Sequence, residues 1–196
     1  RHNRDMIFRV FATALLLALA SVTLRAAEPA PLPPAVGLNE SAAKERAALF
    51  AALAAAKSDA EAREVEERLW TFWRNLADDE SRQLLEQSRE AQLRFDYAEA
   101  LIYNKAVVKH APQFAEGWNQ LGYVYFLAGQ YDASLDAIEH ALALEPMHYA
   151  ALAGKGIILY YGGKVEEAQT PLKRALAINP WLKERNLIGK DSLPTP

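Results

Sequence analysis

Gly117-Trp118-Asn119-Gln120-Leu121-Gly122-Tyr123-Val124-Tyr125 is the stretch whose reading decides how this chain folds. Trp118, Leu121, Gly122 and Tyr125 recur at the three- and four-residue steps of one helix face. Outward from this stretch, the same signals return at a fixed interval. Gly122 and Gly156 are 34 residues apart, as are Gly129 and Gly163, Ala141 and Ala175, and Pro146 and Pro180. Pro112 lies one further period before Pro146. Pairs of Gly and Pro in phase mark an internal repeat, which must be found before any site is sought.

Composition agrees with an array of helices. Alanine and leucine together outnumber valine and isoleucine about four to one. Small and unbranched side chains favour helix and β-branched ones favour strand. The chain therefore reads as all-α. A hydrophobic fraction of 51% with 24% charged residues is that of a folded protein. With no cysteine, disulfides, thiol catalysis and cysteine-based zinc sites are excluded. A net charge of −3 gives no electrostatic footprint for nucleic acid.

The 117–125 stretch, followed by Ala141 and Pro146, resembles the opening and closing pattern of the tetratricopeptide repeat (TPR) family. Ser134 and Ile138 stand where that pattern prefers Ala and Phe. The resemblance implies a short superhelical array of antiparallel helix pairs. Residues 115–148 form its clearest repeat, and 149–182 a second that keeps Gly156, Ala168, Ala175 and Pro180. Lys155 occupies a position where an apolar residue is expected. Residues 81–114 read as a degenerate repeat that retains only Ala100 and Pro112 of the diagnostic set. In such an array Gly122 permits close approach of paired helices, Gly129 makes the tight turn between them, and Pro146 helps break the chain before the next pair. Trp118, Tyr125 and Ile138 read as core.

Upstream, residues 41–80 form a helical hairpin without the signature, expected to stack on the array as an N-terminal cap. Ser58-Asp59-Ala60-Glu61 has the form of a capping box. Val65, Leu69, Phe72 and Leu76 then make one apolar stripe. Residues 28–40 are a proline-rich linker, and 183–196 a C-terminal cap and tail. Residues 1–27 read as a secretory signal, with Arg1, Arg4 and Arg9 before an apolar run from Val10 to Leu24 and Met6 as the expected start. That run is short of the ~20 residues a spanning helix needs. Export, to a bacterial periplasm, is thus the expectation. An inner-membrane anchor is the alternative, and a membrane is a partner only if the leader stays uncleaved.

The resemblance also implies where a function would reside. In this family the first helix of each pair lines a concave groove that takes extended peptides. Carried over residue by residue, the central repeat presents Asn119, Tyr123 and Phe126. The next presents Ala153, Ile157 and Tyr160, with Tyr161 beside them, and the degenerate one presents Leu85, Arg89 and Gln92. The chain is expected to scaffold a peptide or protein partner there. Self-association as a homo-oligomer is the alternative. The lysine and asparagine pattern that clamps chaperone carboxyl termini is absent. No phosphate loop, G-x-S-x-G or H-E-x-x-H motif occurs, so no catalytic residue, metal or cofactor is expected. His110 and His140 are explained by helix C-terminal charge, and Asp78-Asp79-Glu80 by the dipole of a helix start. Trp70-Thr71-Phe72-Trp73 reads first as packing.

Overall fold

The structure, a computed structural model, describes residues 37–188; the leader and most of the proline-rich segment lie outside them. These residues form eight α-helices and, among the described residues, no strand. The helices are α1 (Glu40–Ala55), α2 (Asp59–Asn75), α3 (Asp79–Leu93), α4 (Tyr97–His110), α5 (Ala115–Leu127), α6 (Tyr131–Leu144), α7 (Tyr149–Tyr161) and α8 (Val165–Ile178). A short 3-10 turn, Lys183–Leu187, follows. Each of α3–α4, α5–α6 and α7–α8 is a tightly packed antiparallel pair, and the first helices α3, α5 and α7 lie side by side.

The 34-residue phase is visible as one hydrogen bond made three times. Asp96 N–H donates to Ala91 O, Gln130 N–H to Tyr125 O and Lys164 N–H to Leu159 O, each at 2.9 Å. This bond closes the turn between paired helices and needs one residue in the left-handed region. Gly129 (φ 72°) and Gly163 (φ 83°) supply it without strain. In the degenerate pair the same position holds Phe95, at φ 60°. The turn survives there at the expense of a left-handed non-glycine residue.

The pairs themselves are joined by a small residue facing a large one. A Cβ on Gly122 would lie 2.8 Å from Ile138 Cγ1, and one on Gly156 would lie 2.6 Å from Leu172 Cδ2. One period upstream the two partners become Ser88 and Asn104, both buried. Here Asn104 Nδ2 donates to Ser88 Oγ and to Ala100 O. The degenerate repeat has replaced an apolar knob on glycine with a hydrogen-bonded pair, which occupies the Asn104 amide nitrogen and the Ser88 hydroxyl while Asn104 Oδ1 stays unpaired. Ser134, a departure from the pattern, is also buried and donates to Gly122 O at 2.7 Å. Lys155 reaches Glu139 on α6, so its charge is matched.

Ser58 caps α2 by accepting from Glu61 N–H at 3.2 Å, and the Glu61 carboxylate reaches back to Lys57 N–H at 2.8 Å. Leu49, Phe50 and Leu53 of α1 pack on Leu69, Phe72 and Trp73 of α2. The seat of this hairpin differs from a cap stacked on the beginning of the array. Its core runs on into Tyr149, Met147, Ile178, Trp181 and Leu182. Arg46 donates from Nε and Nη2 to the two carboxylate oxygens of Glu145, each at 2.6 Å. The Trp73 ring stacks on His148, centroids 4.1 Å apart and planes 9° from parallel. Asn179 Nδ2 donates to Glu66. The reason for this placement lies in α3, which buries only Ser81, Ser88 and Ala91. Its outer surface is largely polar and offers a hairpin little apolar area to stack on, whereas the α6–α7 turn offers more.

Candidate binding groove beside the first helices

The seat of the hairpin shapes the face on which α3, α5 and α7 lie. On one side α2 faces α5 and α7 across a cavity of about 470 Å³. Asn119, Tyr123 and Phe126 of α5 line it together with Ile157 of α7. The helix spacing of these residues explains the alignment, because positions three and four apart stack along one face. Trp70 and Glu66 of α2 form the opposing wall, and Leu182 and Glu184 close one end. Tyr123 is half exposed, so its phenol ring is available at the surface.

Five of the residues expected in this groove lie elsewhere: Leu85, Arg89, Gln92, Tyr160 and Tyr161. Arg89 lines a second, more polar cavity between α2, α3 and α5, where Arg74 and Arg82 also stand. Its guanidinium donates to Glu86 at 2.9 Å from Nε and 2.5 Å from Nη2. That contact holds the Glu86 carboxyl below its ordinary range and raises Arg89. Tyr160 packs beside Leu159, Leu172 and Ile188, under the chain that returns after α8. Tyr161 is largely exposed, its ring edge-on to Tyr160. Trp70 and Gln120 line both cavities, so α2 divides what the sequence pattern presents as one stripe.

Beneath the groove is a buried polar network. Glu116 is 2% exposed and accepts from His148 Nε2 at 2.9 Å, Asn119 Nδ2 at 3.0 Å and Gln120 Nε2 at 2.5 Å. His148 Nδ1 accepts from Ala151 N–H, which assigns the ring proton to Nε2 and fixes the tautomer. Asn119 is thereby held in place, its carbonyl oxygen still free to serve a ligand. His110 contacts Asp78 at 2.9 Å, and Asp78 caps α3 through Ser81 N–H at 2.7 Å. Ser81 and then His110 hold the Asp78 carboxyl below its usual value. His140 stacks on Trp118 and bonds its own helix at Asp136 O. Trp118 is half-buried and donates from Nε1 to Pro112 O at 3.0 Å. Among the described residues no cluster of side chains suits a metal ion, and no helix is long and apolar enough to cross a membrane.

Residues 115–148 match the family model for the tetratricopeptide repeat. Those residues carry a tetratricopeptide repeat, and the helix pairs around them share the fold of tetratricopeptide arrays. A TPR repeat-containing protein of Rhizobium etli is 35% identical over 81 residues, which is 41% of this chain and 40% of that protein. The chain thus spans about two fifths of the length of this relative. Among solved structures, the first TPR domain of Spaghetti (RPAP3), bound to an HSP90 peptide, is 19% identical with a TM-score of 0.53. The match covers 57% of this chain and 92% of that one. The TPR2B domain of yeast Sti1 in complex with an Hsp70 peptide is 15% identical with a TM-score of 0.52, covering 56% and 91%. At these identities the likeness is one of fold.

Glu66, Trp70, Tyr149, Leu182 and Glu184 contribute to the groove but are not marked by the repeat pattern. Tyr149 and Leu182 sit at the edges of the 149–182 period. Trp70 and Glu66 arrive on α2 through contacts made about 100 residues away, for which local spacing carries no signal.

Proposed function

We propose that this TPR array is a non-catalytic scaffold that holds a peptide segment of a protein partner in the groove between α2, α5 and α7. The observation that carries this reading is the 470 Å³ apolar cavity lined by Asn119, Tyr123, Phe126 and Ile157. Rigid aromatic side chains give large contact area at little conformational cost, and concave apolar sites with a few fixed polar groups suit ligands. The peptides held by the TPR neighbours support a peptide-binding use of this fold. Export to the cell envelope is part of the proposal and rests on the basic and apolar pattern of residues 1–27. A photo-crosslinking amino acid at position 123 in cells is expected to capture a discrete partner. Tyr123→Ala with Phe126→Ala should abolish capture of that partner from a crosslinker at position 157, while circular dichroism stays unchanged. Undiminished capture by the folded double variant overturns the groove reading. N-terminal sequencing of the fractionated protein tests export, which fails if residues 1–27 persist in a cytoplasmic fraction.

Self-association has its own supporting observation. Leu93, Phe95 and Ile102, around the α3–α4 turn, are 66, 78 and 67% exposed. Exposed apolar side chains of this size favour a contact between copies. Sedimentation equilibrium of the wild type and a Phe95→Ser/Ile102→Ser variant tests it, and a wild-type monomer at all concentrations removes it.

A further inference from the structure

The groove has a charge character that the scaffold reading does not use. Two carboxylates, Glu66 and Glu184, line it, and no lysine or arginine does among the described residues. A third feature is independent of both. Tyr149 is 2% exposed, faces the same cavity, and its hydroxyl has no hydrogen-bond partner. A buried hydroxyl left unpaired is costly and calls for a ligand group that pairs with it. Burial and the neighbouring Glu66 carboxylate both disfavour its ionised form, so it remains a donor. Most of the rest of the lining is apolar or aromatic, including Trp70, Tyr123, Phe126 and Ile157, with Asn119, Gln120 and Ser134 as its neutral polar side chains.

We propose that the groove selects a partner segment in which an apolar side chain adjoins a lysine or arginine. The apolar side chain enters between Trp70 and Phe126, the cationic head group lies toward the Glu66 and Glu184 carboxylates, and the Tyr149 hydroxyl donates to a main-chain carbonyl of the segment. This assignment rests on the groove being the binding face. An acidic segment meets two like charges and no counter-charge, so discrimination comes from repulsion as well as attraction. Aromatic faces beside the carboxylates add cation–π attraction for the same ligand chemistry.

Three fluorescein-labelled, capped heptapeptides test the selection, each with a central phenylalanine flanked on both sides by lysine, by serine or by glutamate. Anisotropy titrations use the full chain. The lysine peptide is expected to bind about tenfold more tightly than the serine peptide, the combined effect of two half-screened charge pairs. The glutamate peptide should bind most weakly. In a Glu66→Gln/Glu184→Gln variant the lysine-to-serine ratio should collapse to about one. The carboxamide placed at position 66 still offers an oxygen to Asn179, so the hairpin seat is kept. Should the variant fail to fold, the wild-type ratio itself must fall as salt is raised from low to molar concentration. Tyr149→Phe should weaken all three peptides several-fold without changing their order. A wild-type ratio near one, or tightest binding by the glutamate peptide, overturns the charge selection and leaves the scaffold reading standing. If no peptide binds yet position 123 still captures a partner, the charge selection likewise falls and the scaffold remains. If capture also fails, both fall together.

Discussion

Replacing Arg46 with alanine tests what holds the N-terminal hairpin on the array. Arg46 and Glu145 are 4% and 3% exposed and share two charge-assisted hydrogen bonds of 2.6 Å. The guanidinium also lies 5.1 Å from the centre of the Phe50 ring. Removing it leaves a buried carboxylate whose remaining donor is Met147 N–H at 2.9 Å. Breaking one side of a buried ion pair costs about 3–5 kcal/mol, because the surviving charge stays out of water without compensation. Against a total stability of about 5–15 kcal/mol, that is a large share. Since α1 and α2 meet the rest of the chain through the α6–α7 turn and the end of α8, the loss should appear first as local opening of the hairpin. Hydrogen exchange read by mass spectrometry should show α1 and α2 losing about two to three and a half orders of magnitude of protection. Helices α5 to α8 should change far less. An Arg46→Met/Glu145→Gln variant, which leaves no charge buried and keeps an acceptor for Met147 N–H, should recover most of the loss. Exchange in α1 and α2 within a factor of about three of wild type in Arg46→Ala would refute the reasoning.

Three further outcomes follow from the repeat geometry and one buried phenol. Gly122→Ala gains about 1 kcal/mol of helix propensity but forces a methyl to 2.8 Å from Ile138 and 3.3 Å from the Ser134 carbonyl, so a net loss of about 1–2 kcal/mol is expected in urea unfolding. Pairing it with Ile138→Val should return part of that. Phe95→Gly relieves a left-handed backbone at a side chain 78% exposed, and should raise stability by about 0.5–1 kcal/mol, read as a higher Tm. Tyr149 is raised well above the usual phenol value, chiefly by burial and then by the Glu66 charge. Its raised value in the folded state means that stability is intact below an unfolded pKa of about 10 and declines as pH climbs past it. Ultraviolet titration should find one tyrosine that ionises only with unfolding, and Tyr149→Phe should remove that late step.

What could be read from sequence was what is local. The period, the Gly129 and Gly163 turns and the face of α5 all depend on residues within one helix pair, and spacing reveals them. Within the degenerate repeat, spacing shows what has been lost at positions 88, 95 and 104, but not what replaced it. Ser88 and Asn104 look like two unrelated polar residues until their hydrogen bond is seen. The groove residues divide in the same way. Asn119, Tyr123, Phe126 and Ile157 follow from helix periodicity, whereas Tyr160 leaves the stripe because the chain after α8 folds back over it. Arg89 leaves because α2 stands between it and Phe126, and the ties that bring α2 there span 99 and 113 residues.

That arrangement links stability to recognition through one element. The hairpin supplies Trp70 and Glu66 to the groove wall, while its own attachment depends on Arg46, Trp73 and Asn179. Tyr123, Phe126 and Ile157 belong to the array and keep their positions whether or not the hairpin is seated. A variant that frees the hairpin should therefore retain the apolar floor but lose one carboxylate and one aromatic wall. Its affinity for an apolar segment should fall only in part, since half of the lining remains, and its preference for a neighbouring cation should fall further. Such an asymmetric loss distinguishes a groove built jointly by array and hairpin from one built by the repeats alone, in which Arg46→Ala would leave both affinity and preference intact.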